Sequence, residues 1–148
     1  MPTSRRTLRS IPLAEWGPVL RVPGIDFISL QYSDCRDEIV GAERPHGIKL
    51  WHWQEAIDDY DETAALIAAV DLVISVQTAA VHLAGALGQT TWALIAAIPE
   101  WRYLAAGDAM PWYPSVRLMR NRATDDWSPV LARVAQELAA ESFAPTSR

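Results

Sequence analysis

Short apolar runs alternate with longer amphipathic segments along most of this chain. The apolar runs predict five strands, at residues 27–31, 48–52, 72–76, 91–95 and 116–119. The amphipathic segments between them predict helices at residues 12–22, 36–42, 61–69 and 79–87, and a last helix from residue 128. Alternation of strand and helix is typical of a parallel sheet covered by helices. We therefore expect an α/β fold with one sheet of about five strands.

The last helix has the most regular pattern. Ser128 and Pro129 are residues that helices favour at their start. The apolar residues that follow recur every three or four positions, at Val130, Leu131, Val134 and Leu138. This spacing predicts one apolar face that packs on the sheet.

The segment DLVISVQTAAVHLAGALG, residues 71–88, predicts a buried strand that runs directly into the N-terminus of a helix. Thr78 stands where a capping residue is expected, and Gly88 where a left-handed residue ends a helix. The first amides of such a helix lack intrahelical partners and carry the positive end of its dipole. In open α/β sheets this junction is where anionic ligands bind.

Two interpretations of this junction are open. Ala79 and Ala80 would leave the amides accessible, and His82 lies one turn after Thr78, where its ring can bond a phosphate oxygen or a sugar hydroxyl. Small residues after a strand also let any helix pack closely on a sheet. Spacing alone favours this second interpretation.

Composition and charge narrow the possible functions. A chain of 148 residues with 50% hydrophobic residues is expected to form a single domain. The net charge of −5 gives no general attraction to nucleic acid, so no nucleic-acid partner is expected and any anion site must be local. Cys35 is the single cysteine and is expected to be a small buried residue. With no apolar run long enough to span a membrane, we expect a cytoplasmic protein.

Several kinds of chemistry lack their motifs in this chain. It has no GxGxxG loop, P-loop or G-x-S-x-G turn. His46, His52 and His82 are dispersed, so no metal site and no cofactor is predicted. An acidic cluster lacks the spacing of a calcium loop, and we interpret it as negative charge at a helix start; it consists of Glu55, Asp58, Asp59, Asp61 and Glu62.

A resemblance to a known family favours anion binding at the junction between the third predicted strand and the helix that follows it. The segment QTAAVHLAGALG resembles the D-[ST]-x-x-x-H-L-x-x-A-L-G signature of glycosyltransferase family nine, the heptosyltransferase-like enzymes. Further segments resemble the heptosyltransferase-like C-terminal region of bacterial proteins that carry tetratricopeptide repeats: RSIPLAEW, FISLQY, HWQEAIDDYDETAALIAAVDLVISV, PEWRYL and PWYPSVRL. The resemblance extends from about Arg9 to the last helix.

The resemblance implies a fold and a division of labour. Family members have the two-domain GT-B fold, in which a C-terminal Rossmann-like domain binds the nucleoside diphosphate sugar donor. The N-terminal domain supplies the acceptor site and the usual catalytic base, so we nominate no catalytic residue here. By this resemblance residues 11–143 are the Rossmann-like donor-binding domain, between a basic tail at 1–10 and a C-terminal tail at 144–148. Such a chain is expected to bind a donor but not to transfer its sugar alone.

The resemblance also assigns roles to single residues. Thr78 and the amides of Ala79 and Ala80 would hold the diphosphate, and His82 and Arg9 would stabilise the departing phosphate charge. Gln77 would face the sugar. The family usually has Asp at the position of Gln77, so the identity of the sugar and the turnover are open.

The loop after the fourth predicted strand offers further candidates. Four consecutive residues should lie at the same sheet edge as Thr78: Pro99, Glu100, Trp101 and Arg102. Trp101 could stack there on a base or a sugar. The favoured alternative is that Trp101, Trp112 and Tyr113 pin a proline-rich loop onto the core.

One expected strand is not in this sequence. In the resembling family a strand precedes the RSIPL segment and lies centrally in the sheet. Three explanations are open: the strand order differs, a partner chain supplies the strand, or the gene product is longer.

The alternative to donor binding is a non-catalytic, degenerate or truncated domain that serves as a scaffold.

Overall fold

The structure is a computed structural model that describes residues 9–122 and 126–141, without the side chains of Pro45 and His46. The five strands are β1 (Phe27–Ile28), β2 (Leu50–Trp51), β3 (Val73–Val76), β4 (Thr91–Ile95) and β5 (Val116–Arg120). The six α-helices are α1 (Gly17–Leu20), α2 (Arg36–His46), α3 (Gln54–Asp58), α4 (Tyr60–Ala69), α5 (Ala79–Ala86) and α6 (Ser128–Ala140). Two 3₁₀ turns, Leu13–Trp16 and Trp101–Tyr103, complete the described structure.

The strands form two parallel sheets. Strands β3, β4 and β5 pair in that order, and β1 pairs with β2. The α/β class, the parallel pairing and the number of strands are confirmed. The prediction of one continuous sheet is wrong for the described residues, because β1 and β3 each pair on one side only.

The predicted element ends are most accurate where the element is buried. All five residues of β4 are buried, and its bounds are the predicted ones. Strands β1 and β2 have two residues each, against the five predicted, because a strand extends only as far as its partner pairs with it. Helix α3 was not predicted at all. Its five residues are too few to show a helical period.

The core lies on both faces of β4. Trp92 and Leu94 face a cluster that contains the predicted apolar face of α6, where Val130, Leu131, Val134 and Leu138 are all buried. Ala93 and Ile95 face the opposite side and pack with Val81 of α5. Helix α5 is therefore held against the sheet, and its N-terminus lies at the carboxyl end of β3.

The structure also bears on the predictions for Cys35, for the acidic cluster and for membrane-spanning segments. Cys35 is buried, as predicted. Asp59 caps α4, its carboxylate accepting hydrogen bonds from the amides of Asp61 and Glu62 at 2.9 and 3.1 Å. This agrees with the helix-start interpretation of the acidic cluster. Among the described residues, no helix is long and apolar enough to cross a membrane.

Gly85 allows α5 to lie close to the loop before β5. A Cβ at this position would lie 2.4 Å from Cγ of Tyr113, which is far inside contact distance. We therefore expect Gly85→Ala to lower the free energy of unfolding by about 1–3 kcal/mol, the usual effect of overpacking.

Gly41 provides the matched control, because a Cβ there meets nothing within 4 Å on helix α2. Gly41→Ala should raise the free energy of unfolding by about 0.5–1 kcal/mol through helix propensity. Urea unfolding of both variants measures the two changes. Equal effects from the two substitutions would show that Tyr113 does not restrict Gly85.

Candidate functional site

The candidate site begins where β3 passes into α5. Thr78 is the N-cap residue in extended conformation, as predicted, but its side chain makes no capping hydrogen bond. Its hydroxyl instead lies 3.0 Å from the hydroxyl of Ser75, three residues earlier in β3. The expectation that the Thr78 side chain caps the helix is therefore wrong.

This arrangement leaves the first amides of α5 available. The Val81 amide donates to the Thr78 carbonyl at 3.2 Å, whereas the amides of Ala79 and Ala80 have no partner among the described residues. Ala79 is exposed and has only a methyl group in front of the helix end. The positive end of the helix dipole is thus accessible to an anion.

Gln77 connects the ends of two strands and leaves one donor unused. Its Oε1 accepts a hydrogen bond from the Ala96 amide at 3.0 Å, which holds the residue after β4 against the end of β3. Because Oε1 is the acceptor, Nε2 must face the other way. Within the described part of the chain, Nε2 is buried and has no hydrogen-bond partner. An unpaired buried donor is costly, and a water molecule or a ligand can complete it.

His82 is held by two tyrosines. Its Nε2 lies 3.4 Å from the Tyr103 hydroxyl, and its ring meets the Tyr113 ring edge-on at 5.8 Å between centroids. Burial raises the pKa of the Tyr103 phenol, which therefore stays protonated at neutral pH. The other ring nitrogen, Nδ1, has no partner among the described residues, so it can bond a ligand in the cleft.

The Glu100 carboxylate bridges Arg9 and Arg102, the two arginines that were expected at this site. Glu100 forms ion pairs with Arg9 and with Arg102, the latter at 2.9 Å between Nη1 and Oε2. Two positive charges and one negative charge therefore meet at the loop after β4. The ion pair also shows how Arg9, distant in sequence, comes to this edge of the sheet.

These groups surround a cleft of about 340 Å³ at the carboxyl edge of the three-stranded sheet. It is lined by five residues that were nominated for the site, Gln77, Thr78, Ala79, His82 and Arg102. Glu100, which was expected at this edge without a role, also lines it, and so does Tyr103, which was not predicted. Ala80, Arg9 and Trp101 do not line it, although Arg9 reaches it through Glu100. The sequence signal for Glu100 was its position in the PEWR loop, beside two residues that were nominated.

Trp101 and Trp112 do not pin the loop onto the core, so the favoured interpretation of these two residues is wrong. Trp101 is 71% exposed and Trp112 is 57% exposed, and their rings meet edge-on at 6.4 Å. Of the three aromatic residues expected to pin this loop, only Tyr113 packs on the core. The Cζ atom of Arg102 lies 5.2 Å from the centroid of the Trp101 ring. Because Arg102 lines the cleft, the aromatic surface of Trp101 lies beside it.

Comparison with known proteins finds a bacterial protein that is similar to most of this chain. The chain is 41% identical over 138 residues to Protein FlbA of Caulobacter vibrioides, a match that covers 91% of this chain and 23% of FlbA. The chain thus spans about a quarter of the length of this curated relative. No family model matches the chain. No solved structure matches it significantly.

Proposed function

We propose that the cleft binds the diphosphate of a nucleoside diphosphate sugar, and that the chain is the donor-binding part of a heptosyltransferase-like glycosyltransferase. The observation that carries this proposal is a set of unused hydrogen-bond donors at the cleft and directly beside it. They are the amides of Ala79 and Ala80 and the Nε2 of Gln77, with the Arg102 guanidinium beside them. Such donors suit a ligand that has many acceptor oxygens and negative charge.

Each group has a distinct role in the proposed complex. The first amides of α5 bond the diphosphate oxygens, and Arg102 adds positive charge where the leaving phosphate would develop negative charge. Gln77 donates to a sugar hydroxyl while its Oε1 stays on the Ala96 amide. This double use offers a reason for an amide at a position where the resembling family has a carboxylate.

The fold is compatible with the proposal. Helices on parallel strands, with a cleft outside their carboxyl ends, are consistent with a Rossmann-like domain, the C-terminal half of a GT-B enzyme. In that fold an acceptor-binding domain faces the donor domain and contributes the catalytic base. The chain described here should therefore bind a donor without transferring its sugar.

Calorimetric titration of the purified chain with UDP, ADP, GDP, the corresponding monophosphates and the sugar conjugates tests the proposal. One-site saturable binding to one base, stronger for the diphosphate than for the monophosphate, is the expected result. A folded sample that binds none of these compounds would contradict the proposal.

Replacing His82 with alanine should weaken this binding by about tenfold, the loss of one hydrogen bond worth about 1.4 kcal/mol. The substitution also removes the contacts of His82 with two tyrosines. Because His82 is only half-buried, this loss should change the free energy of unfolding by no more than about 1 kcal/mol. Titration and urea unfolding measure the two effects. Unchanged affinity with a large loss of stability would make His82 a packing residue.

A non-catalytic interaction module is the second candidate. It is favoured by the edges of β1 and β3 that no described strand pairs with, because an open strand edge can pair with another chain. The two candidates differ in ligand dependence. Donor binding requires a saturable nucleotide site at the cleft, whereas an interaction module requires none.

A further inference from the structure

One nitrogen of the His82 ring is already engaged by a neighbour. Nε2 lies 3.4 Å from the Tyr103 hydroxyl, a contact that joins helix α5 to the 3₁₀ turn after β4. Nδ1 has no partner within residues 9–122 and 126–141. Both side chains line the cleft. Nδ1 is therefore the nitrogen left for a ligand in the cleft.

The burial of Tyr103 decides which group donates in this contact. Tyr103 is only 1% exposed, and the described part of the chain offers its hydroxyl no partner other than His82. Burial raises the pKa of the phenol, which therefore keeps its proton. If Nε2 of His82 donated instead, the phenol proton would be a buried donor without an acceptor, which costs more than an unused lone pair. The Tyr103 hydroxyl therefore donates, and Nε2 accepts.

The direction of this hydrogen bond fixes the tautomer of the neutral histidine. A neutral imidazole carries a single proton, so a ring that accepts at Nε2 must carry its proton on Nδ1. An Nδ1–H group can donate to the oxygens of an ionised phosphate, which are acceptors only. Without the Tyr103 hydroxyl the proton can move to Nε2. Nδ1 would then present a lone pair to the phosphate, and the hydrogen bond would be lost.

We propose that Tyr103 is a positioning residue, which keeps the proton of the neutral His82 ring on Nδ1 so that the ring donates to a phosphate oxygen without being cationic. This role rests on the proposed function for its ligand, and it adds how the affinity depends on pH. When a rising pH removes the charge of the histidine, Tyr103 preserves the donor at Nδ1. Nucleotide binding then requires no proton uptake by His82.

A matched control is available because His82 contacts two tyrosines in different ways. It meets the ring of Tyr113 edge-on, whereas it contacts the hydroxyl of Tyr103. Tyr103→Phe and Tyr113→Phe each remove a hydroxyl, and only the first removes the donor to Nε2. The other titratable or charged groups that face this pair or its cleft stay the same in the Tyr103 variant: Tyr113, Glu100, Arg102 and, through Glu100, Arg9.

The first test measures the tautomer in the ¹⁵N-labelled chain without a ligand. Long-range ¹H–¹⁵N correlation spectra at about pH 8 distinguish protonated from bare ring nitrogens, and the His82 signal is the one lost in His82→Ala. The proton should be on Nδ1 in the unmodified chain and in Tyr113→Phe, and on Nε2 in Tyr103→Phe. A proton on Nε2 in the unmodified chain would overturn the proposal, whether or not the chain binds nucleotide.

The second test measures the affinity for the tightest-binding of UDP, ADP and GDP at two pH values. At about pH 8, Tyr103→Phe should weaken binding about tenfold, the loss of one hydrogen bond. It should have no further effect when His82→Ala is already present. At about pH 5.5, where histidine rings ordinarily carry protons on both nitrogens, Tyr103→Phe should bind within about twofold of the unmodified chain.

The pH dependence separates positioning from a purely structural role. An equal loss of affinity at both pH values would mean that Tyr103 only supports the fold of the cleft, and would overturn the proposal. So would a loss in Tyr113→Phe equal to that in Tyr103→Phe at about pH 8. A chain that binds none of the three nucleotides would contradict the proposed function and the phosphate ligand of His82, whereas the wrong tautomer in a chain that binds nucleotide would overturn the role of Tyr103 alone.

Discussion

Replacing Ala79 with phenylalanine is expected to abolish nucleotide binding. Ala79 is exposed at the start of α5 and lines the cleft, so a larger side chain would occupy the space in front of the free amides. Loss of two amide hydrogen bonds to a charged phosphate, each worth about 1.5 kcal/mol, corresponds to a fall in affinity of about 100-fold or more. Calorimetric titration with the preferred nucleoside diphosphate measures this change.

The control for this substitution lies on the same helix. Ala86 is the last residue of α5, also exposed, and about 10 Å along the helix axis from Ala79. Ala86→Phe should leave the affinity within about twofold of the unchanged chain, the scatter expected for a distant surface site. If Ala79→Phe bound nucleotide as well as Ala86→Phe does, the ligand would not lie at the start of α5.

Leu94 is one of the residues whose truncation should destabilise the chain most. It is fully buried in the middle of β4 and packs in the cluster that α6 covers. Leu94→Ala should lower the free energy of unfolding by about 2–5 kcal/mol, because it removes apolar contacts and leaves a cavity. Urea unfolding followed by tryptophan fluorescence measures the loss.

Leu87 provides the comparison for Leu94, because it is 47% exposed at the end of α5. Leu87→Ala should change the free energy of unfolding by no more than about 1 kcal/mol. A small effect at Leu94, similar to that at Leu87, would mean that β4 is not the centre of the core.

The accuracy of the sequence predictions follows burial. The bounds of β4 were predicted correctly because every residue of this strand is buried, which leaves a short continuous apolar run in the sequence. The apolar face of α6 was predicted correctly because its buried residues recur every three or four positions. The lengths of β1 and β2 were overestimated because apolar residues continue beyond the point where pairing stops. The division into two sheets depends on which strands meet, and hydrophobic pattern does not specify this.

In the candidate site, the sequence predicted the backbone geometry but not the contacts between side chains. The free amides at Ala79 and Ala80 followed from the strand-to-helix pattern, which fixes backbone geometry. The pairing of Thr78 with Ser75, which leaves the helix without a side-chain cap, did not. Nor did the bridging role of Glu100 or the contact of Tyr103 with His82, because both depend on how the loop after β4 folds over the cleft.

The most direct test of the account follows the backbone amides of Ala79 and Ala80 by NMR during titration with the nucleoside diphosphate. Saturable shifts of both signals with a common Kd are expected, together with a shift of the Gln77 side-chain amide when the sugar conjugate is used. The amides of Ile74 and Val76, on the open edge, should remain unchanged. Binding that leaves Ala79 and Ala80 unshifted would contradict the account and place the nucleotide elsewhere on the chain.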